Sequence, residues 1–327
     1  FVRYRGRTLV YFGGCDYFRL ATHPDVLAAA RTAVRRCGLN VAASRATTGN
    51  HSLFLELENK LARFFQVDRA LLAPSGYVTN LIAAQGLAGH ITHALLDEQA
   101  HASLADAAAL LSCEVQRFRH RSPSALANCL RRLPDAARPL VLTDGLFARE
   151  GTIAPLADYV RLLPRGGLLL VDDAHGAGVL GSMGRGTPEF CGVGREKRLI
   201  QTCTLSKAFG AYGGVILGNA RLIGRIAQES RQFAGSTPLP PPLAAAAIEA
   251  LRIARSDPSL RSRLLDQVRL VKDALRKTAV SQPETPCPVI AVQARTARAA
   301  ARLRRDLLRR GIYPSLIRYP GGPAGGY

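Results

Sequence analysis

The sequence has few of the features that mark membrane proteins, zinc proteins or disulfide-stabilised proteins. No apolar run approaches the roughly 18 residues that a membrane-spanning helix requires. The seven cysteines are scattered and form no CxxC pair, which argues against a zinc ribbon or a disulfide framework and favours a reducing compartment. We therefore predict a cytoplasmic protein with neither a metal site nor a membrane segment.

Lysine and aromatic residues are also scarce, although the net charge is strongly positive. Only five of the 44 Lys and Arg residues are lysines, and aromatic residues make up 6% of a chain whose formal net charge is +20. Nucleic-acid-binding surfaces combine clustered basic residues with aromatic side chains, whereas the arginines here are dispersed along apparent helices. The composition therefore does not favour a nucleic-acid partner, and a phosphorylated cofactor or an acidic substrate such as a CoA thioester would also be attracted by this charge.

Short apolar segments alternate with amphipathic ones over most of the chain, and each short segment closes with Gly, Asp or Ser. This alternation is typical of an α/β protein with a mostly parallel central sheet and helices on both faces. The strands that it predicts are 69–76, 92–98, 138–145, 166–176, 198–204 and 213–218. The helices that it predicts between them are 77–88, 101–112, 122–133 and 155–163.

The pattern changes near both ends of the chain. Residues 1–45 lack the alternation, and after about residue 235 the sequence is mainly helical in pattern, with one predicted strand at 286–294. We predict a large domain at 46–235 and a smaller α+β domain, with a connecting helix, built from 1–45 and 236–327. Because the chain begins with Phe and stops within a Gly/Pro-rich turn, we also expect a longer natural polypeptide.

Two motifs place reactive side chains at the ends of neighbouring predicted strands. In "LLLVDDAHGAGVLG", Asp172 and Asp173 point to opposite faces of a strand, and His175 can return to the side of Asp172, so that the group could be a metal site, a capped turn or part of an active site. In "TCTLSKAFGAYGG", Lys207 stands among small and apolar residues, and a desolvated lysine is a nucleophilic amine. An amine that forms a Schiff base, together with a carboxylate for a pyridinium nitrogen, indicates pyridoxal phosphate as cofactor.

Two weaker motifs fit the same interpretation. In "APSGYVTNLIAAQGL", Ser75 and Gly76 form a turn that opens a helix directly after a strand, and free backbone N–H groups there suit a phosphate. In "DEQAHASLADAAALL", His101 begins a helix beyond a strand end, where it could cap the helix, pack, or lie flat on a planar cofactor.

The four motifs together resemble the α-oxoamine synthases, pyridoxal-phosphate enzymes that condense an amino acid with an acyl-CoA and release carbon dioxide. The resemblance runs from "FGGCDYFRLATHP" near residue 12 to the last residue, and "VDDAHGAGVLG" and "TLSKAFGAYGG" are its most specific parts. It implies the pyridoxal-phosphate-dependent transferase fold of the aspartate aminotransferase type. It also implies a homodimer whose active sites lie at the subunit interface.

The resemblance assigns roles to individual residues. Lys207 would hold the cofactor as a Schiff base and then remove the α-proton, while Asp172 would keep the pyridine nitrogen protonated. His175 would hydrogen-bond the phenolic oxygen and His101 would stack on the ring, which completes the predicted catalytic set. The remaining predicted contacts are with phosphate: Thr204, Ser75, Gly76 and Tyr77 within one subunit, and Ser236 and Thr237 toward the phosphate of the neighbouring subunit.

The chain departs from the family pattern at positions that contact substrate. Cys15 replaces an asparagine that usually helps to bind substrate, and Ala148 replaces a serine that usually lies close to the cofactor. Val41, Ala42 and Ala43 occupy a stretch that is usually rich in glycine, and Phe54 stands where a histidine is common. The arginine that grips the substrate carboxylate would follow "PAGG", where the chain ends.

Three functions are consistent with these residues. The first is decarboxylative condensation of L-alanine or glycine with an acyl-CoA or an acyl-carrier thioester. The second is transamination on the same fold, which would yield a keto acid instead of carbon dioxide and free CoA. The third is a degenerate, non-catalytic basic binding protein, which the altered substrate positions favour and the retained Lys207, Asp172, His175 and His101 oppose.

Overall fold

The computed structural model describes residues 1–278, 280–292, 294 and 296–315. The strands are β1 (Val2–Tyr4), β2 (Arg7–Tyr11), β3 (Arg69–Ala73), β4 (His93–Asp97), β5 (Glu114–Phe118), β6 (Pro139–Asp144), β7 (Leu146–Phe147), β8 (Thr152–Ile153), β9 (Leu168–Asp172), β10 (Leu199–Thr204), β11 (Gly214–Gly218) and β12 (Ile312–Tyr313). The helices are α1 (Pro24–Cys37), α2 (Ser52–Phe65), α3 (Gly76–Leu87), α4 (Ala102–Ala109), α5 (Pro123–Arg131), α6 (Leu156–Leu162), α7 (Thr187–Phe190), α8 (Ala220–Glu229), α9 (Arg231–Gly235), α10 (Pro241–Ser256), α11 (Ser259–Arg276) and α12 (Ala297–Arg309).

A seven-stranded sheet with the order β3-β11-β10-β9-β6-β4-β5 forms the centre of the fold. Strand β11 runs antiparallel to its neighbours β10 and β3, while β10, β9, β6, β4 and β5 pair in parallel. Every residue of β6 and of β10 is buried. Near-continuous burial is what a parallel sheet covered on both faces requires, and it explains the uninterrupted apolar runs in the sequence.

Helices cover both faces of this sheet. Alternate side chains of each strand pack against the helices on opposite faces. In β9, Leu170 belongs to a core that includes residues of α3, α4 and α8. Its neighbours Leu169 and Val171 belong to a second core on the other face, with Leu126 of α5 and Tyr159 of α6. Because alternate residues of a strand point to opposite faces, one short apolar segment supplies both cores.

The two ends of the described chain meet in a second, three-stranded sheet. Strand β2 pairs antiparallel with β1 and parallel with β12, and α1 packs along α10. No helix in the described ranges has both the length and the hydropathy needed to cross a membrane. The domain boundaries at 45/46 and 235/236 stay predictions.

The predicted α/β architecture is present, and the six predicted strands and four predicted helices of the central region correspond to β3, β4, β6, β9, β10, β11 and α3 to α6. The strand predicted at 286–294 is wrong, since the described residues of that segment form no strand. Pro286 and Pro288 lack the N–H groups that a ladder would need. Strand β5 is not predicted from the sequence, because it is an edge strand whose polar residues are largely exposed and therefore lacks an apolar run.

Candidate active site

The predicted catalytic residues come together at one edge of the central sheet. Strand β9 ends at Asp172 and β10 ends at Thr204, and the two strands are parallel, with Thr202 opposite Asp172. Since neighbouring parallel strands present their carboxyl ends at the same edge, the turns that follow them bring His175 and Lys207 into contact.

Lys207, His175 and Tyr17 form a chain of hydrogen-bonding groups. Lys207 Nζ lies 2.8 Å from His175 Nε2, and the Tyr17 hydroxyl lies 2.7 Å from His175 Nδ1. Burial, helped by the charges of Lys207 and His101, lowers the pKa of His175 to about 3, so this imidazole is neutral at physiological pH. When the Tyr17 O–H donates to Nδ1, the single imidazole proton lies on Nε2 and faces the amine.

Burial also lowers the pKa of Lys207 below its ordinary value, although the negative charges of Asp172 and Asp144 act in the opposite direction. Cys15, one of the departures from the family pattern, also raises the Lys207 pKa through the charge of its thiolate form. A lysine with a lowered pKa has a larger fraction of neutral, nucleophilic amine at neutral pH.

Asp172 and Asp173 face opposite sides of the sheet edge, as predicted. Asp172 Oδ2 accepts from Asn80 Nδ2 at 2.7 Å, and Oδ1 accepts from the backbone N–H of Ala174 at 3.1 Å. Asp173 is fully buried and is bound by Thr187 and by Gln201 Nε2. Burial raises the pKa of Asp173 to about 7 despite these donors.

Helix α3 begins beside the end of β10. The Ser75 side chain caps the helix by accepting from the Val78 N–H. A Cβ on Gly76 would lie 2.7 Å from the Thr204 Cβ, so only glycine permits this approach of α3 to β10. The first N–H groups of α3 and the hydroxyls of Thr204 and Ser206, which are 2.6 Å apart, are donors of the kind that suit an anion, and we refer to them as the predicted phosphate pocket.

Tyr77, the next predicted phosphate contact, follows Gly76 in the first turn of α3. Its hydroxyl donates to Asp106, and this hydrogen bond is the main reason that the pKa of Tyr77 is raised. Its ring lies edge-on to that of His101, with 6.0 Å between centroids. The Tyr77 ring therefore lies beside the His101 ring, at the cleft bordered by Lys207, Asp172 and His101, while the Tyr77 hydroxyl is hydrogen-bonded to Asp106.

His101 caps α4 and leaves its ring exposed. Its backbone N–H donates to Asp144 Oδ2 at 2.8 Å, and Nδ1 lies 2.7 Å from the Ser103 hydroxyl. Asp144 ends β6 directly opposite Asp172 of β9, and burial together with the Asp172 charge raises the Asp144 pKa. His101 thus combines the capping role that its position suggests with a ring that is accessible to a planar ligand.

Three residues of the site, Tyr17, Asn80 and Asp144, were not identified from the sequence. Tyr17 is separated from His175 by 158 residues and Asn80 from Asp172 by 92, so no local spacing links them. The only local signal for Asn80 is its position four residues after Gly76, which places both on one face of a helix. Asp144 is visible as a strand-end aspartate, but its contact with the His101 backbone is not.

The other predicted positions lie apart from this group. Ser236 and Thr237 line a small cavity with Arg45 and Phe233, and among the described residues no hydrogen bond joins either of them to Lys207, Thr204 or Gly76. Phe54 is fully buried in the core. The "PAGG" segment and the carboxylate-binding arginine predicted beyond it fall outside the described residues.

Comparison with known families agrees with this geometry. A family model described as aminotransferase class I and II matches residues 9–325, and the chain therefore belongs to this family. Two curated relatives are the 8-amino-7-oxononanoate synthases of Thioalkalivibrio sulfidiphilus and Thermosipho melanesiensis. They are 36% identical over 321 residues and 34% identical over 322 residues, and each alignment covers 98% of this chain and 82% of the relative.

Solved structures show the same relationship. The serine palmitoyltransferase of Sphingomonas wittichii has a TM-score of 0.91 at 31% identity, covering 98% of this chain and 81% of that one. A serine palmitoyltransferase variant from S. paucimobilis, solved with bound PLP and myriocin, has a TM-score of 0.92 at 30% identity, with the same coverage. The predicted transferase fold and the predicted kinship with α-oxoamine synthases are confirmed.

Proposed function

We propose that this chain is a pyridoxal-phosphate-dependent acyltransferase that condenses an amino acid with an acyl thioester and releases carbon dioxide. L-Alanine with a pimeloyl thioester, the reaction of biotin biosynthesis, is the first substrate pair, and glycine with a short acyl-CoA is the second. The observation that carries the proposal is the 2.8 Å contact of the Lys207 amine with the neutral His175, at the sheet edge that also holds the buried Asp172. The relatives named 8-amino-7-oxononanoate synthase support this choice of reaction.

The residues present fit pyridoxal phosphate. The first N–H groups of α3 and the Thr204 hydroxyl would hold the phosphate, and only glycine at position 76 lets α3 pack this closely against Thr204. Asp172 has acceptor capacity left on Oδ1 for a pyridinium N–H. His175 would present a neutral imidazole to the phenolic oxygen of the cofactor, and the exposed His101 ring would stack on the cofactor ring. When bound there, the cofactor supplies an electron sink for negative charge at the α-carbon of an amino acid.

The protein's own part in the reaction follows from the state of two groups. Lys207 has a lowered pKa, so its neutral amine can act first as a nucleophile and then as the base that takes the α-proton. His175 remains neutral and, with Tyr17 at Nδ1, can hold a proton on Nε2 toward an oxygen without adding positive charge. A second positive charge beside Lys207 would oppose protonation of the amine when it acts as a base.

We further propose that the chain acts as a cytoplasmic homodimer, with 46–235 as the cofactor-binding domain and 1–45 and 236–327 as the smaller one. All seven cysteines are free, which supports a reducing compartment. Ser236 and Thr237 have no described hydrogen bond to the cleft residues of their own subunit, which supports their predicted role toward the phosphate of a neighbouring subunit.

Visible absorption spectroscopy of the purified protein tests the cofactor assignment. We expect a band after addition of pyridoxal phosphate that borohydride abolishes, and we expect no such band in a Lys207→Ala variant. The matched control is Lys272→Ala, because Lys272 is a buried lysine that donates to the backbone oxygens of Pro283 and Thr285, remote in sequence from the site. A native protein that forms no band would overturn the assignment.

Product analysis then tests the reaction. We expect the protein, L-alanine and a pimeloyl thioester to release carbon dioxide and free thiol in equal amounts, and glycine with acetyl-CoA is the comparison pair. Formation of pyruvate from L-alanine, with an oxo acid as acceptor and without carbon dioxide, would instead establish transamination. A protein that binds the cofactor but yields neither set of products would favour the non-catalytic alternative.

A further inference from the structure

The buried end of β9 is held by the side-chain amide of Asn80, which lies within the motif "APSGYVTNLIAAQGL" but receives no role from the sequence. Asn80 lies on α3, is 0% exposed, and donates from Nδ2 to Asp172 Oδ2 at 2.7 Å and to the Ser103 hydroxyl at 2.8 Å. We propose that Asn80 is a positioning residue that orients Asp172 toward the pyridine nitrogen of the cofactor. This inference rests on the proposed function and assigns a residue to it.

The orientation of the Asn80 amide is fixed by its surroundings. The carboxylate of Asp172 can only accept hydrogen bonds, so an Asn80 oxygen turned toward it would place two acceptors 2.7 Å apart. The opposite side of the amide meets the Thr202 hydroxyl, which donates to Asn80 Oδ1 at 2.6 Å. Both contacts favour the same orientation, with the NH₂ group toward Asp172.

The hydrogen bond leaves Asp172 with one oxygen committed and one available. Oδ2 is taken by Asn80, with Ser103 Oγ more distant at 3.5 Å. Oδ1 accepts one backbone N–H, that of Ala174, and retains a second lone pair. Rotation of the carboxylate would break its contact with Asn80, and because Asn80 is 0% and Asp172 8% exposed, an unmade hydrogen bond to this charged group is costly.

The position of Asn80 on α3 couples it to the phosphate pocket. Gly76 and Asn80 are four residues apart, so they lie on the same face of the helix one turn from each other. Gly76 packs against Thr204 at the end of β10, and Asn80 contacts Thr202 within the same strand and Asp172 at the end of β9. A single rigid helix face therefore sets the spacing between the phosphate pocket and the carboxylate.

His101 is joined to the same network. The Ser103 hydroxyl accepts from Asn80 and lies 2.7 Å from His101 Nδ1. The ring proposed to stack on the cofactor is thus linked, through the Ser103 hydroxyl, to the amide that donates to the carboxylate. Loss of the Asn80 amide should change how the protein holds the cofactor ring, whereas a purely structural polar contact would change only stability.

The test compares three isosteric variants loaded with pyridoxal phosphate. Asn80→Leu removes the amide, and Thr202→Val removes the hydroxyl that orients it. The control is Thr143→Val, because Thr143 is equally buried in β6 and its hydroxyl donates only to the backbone oxygen of Asp144 among the described residues. The measurements are the dissociation constant for pyridoxal phosphate and the ¹⁵N resonance of ring-labelled cofactor, which reports protonation of the pyridine nitrogen.

We expect Asn80→Leu to bind pyridoxal phosphate about tenfold or more weakly, since it loses a hydrogen bond to a charged group, and to shift the ¹⁵N resonance toward the unprotonated position. Thr202→Val should change the dissociation constant and the ¹⁵N resonance in the same direction, but less than Asn80→Leu does. Thr143→Val should match the native protein in both measurements. A folded Asn80→Leu with native affinity and native resonance would overturn the inference. If Asn80→Leu does not fold, native values in Thr202→Val would overturn it instead.

Failure of the proposed function looks different in this experiment. A native protein that does not bind pyridoxal phosphate would refute the cofactor assignment before any variant is compared. Native binding with unchanged variants would refute only the role of Asn80.

Discussion

The two faces at the end of β9 differ sharply, although the residues that define them are adjacent in the chain. On the α3 face, Asp172 meets Asn80 and keeps an oxygen available toward the cleft that holds Lys207. On the α7 face, Asp173 is enclosed by Thr187 and Gln201, which donate the three hydrogen bonds that its carboxylate accepts among the described residues. The comparison shows that burial of a carboxylate does not by itself mark a ligand site, because the carboxylate must also be reachable: Asp172 is 8% exposed, whereas Asp173 is 0% exposed.

The largest expected effect comes from removing the carboxylate on the α3 face. Asp172→Ala should lower turnover by on the order of 10²–10³-fold, comparable to the loss of a preorganised electrostatic contact in an active site. The free energy of unfolding should change less than for Asp173→Ala, because two of the three hydrogen bonds to Asp172 are longer than 3.0 Å, whereas all three to Asp173 are 2.9 Å or shorter. Steady-state kinetics and urea unfolding measure the two quantities, and near-native turnover would contradict the assigned role.

The reverse result is expected on the α7 face. Asp173→Ala leaves the N–H and hydroxyl of Thr187 and one N–H of the Gln201 amide without an acceptor, while the other Gln201 N–H keeps the Arg185 backbone oxygen. This loss should lower the free energy of unfolding by about 2–4 kcal/mol. Turnover per folded molecule should stay within a few-fold of native. If Asp173→Ala instead abolishes turnover without loss of stability, the division between the two faces is wrong.

The pH dependence of Lys207 sharpens the comparison further. Only the neutral amine attacks an aldehyde, so the rate at which the apoprotein forms its visible band with pyridoxal phosphate should rise about tenfold per pH unit below the Lys207 pKa and then level off. Because burial lowers that pKa, the plateau should begin below pH 10.5, the ordinary value for lysine. N-acetyl-lysine amide is the matched control, and equal midpoints for the two amines would contradict the lowered pKa.

The smallest expected effect lies in the 40–49 loop, away from β9. Ala42 has a φ of 48°, a left-handed conformation that costs an L-residue about 1–2 kcal/mol. Ala42→Gly should raise the free energy of unfolding by about 0.5–1 kcal/mol after the entropy of the unfolded chain is counted. Ala46→Gly is the control, because Ala46 lies in the same loop and has no positive φ. It should lower the free energy of unfolding, and equal changes in both variants would refute backbone strain at Ala42.

Particular residues show how far the sequence could predict this fold and site. The strands β9 and β10 can be predicted from the sequence as apolar runs that end at Asp172 and Thr204, because a strand buried on both faces consists mainly of apolar residues. The exposed edge strand β5 is not visible as an apolar run. The apolar run at 286–294 misleads, because Pro286 and Pro288 lack the N–H groups that pairing with a neighbouring strand would need. Asp172, His175 and Lys207 were identified because their side chains lie within short motifs.

The sequence alone determined the class of the protein, its sheet architecture and the group of reactive residues, since each depends on residue types at short spacing. Only the tertiary structure decided which groups act on which. The contacts of Tyr17 with His175 and of Asn80 with Asp172 join residues 158 and 92 positions apart. Contacts at such separations arise from the packing of whole helices and strands, and no short-range pattern in the sequence predicts them.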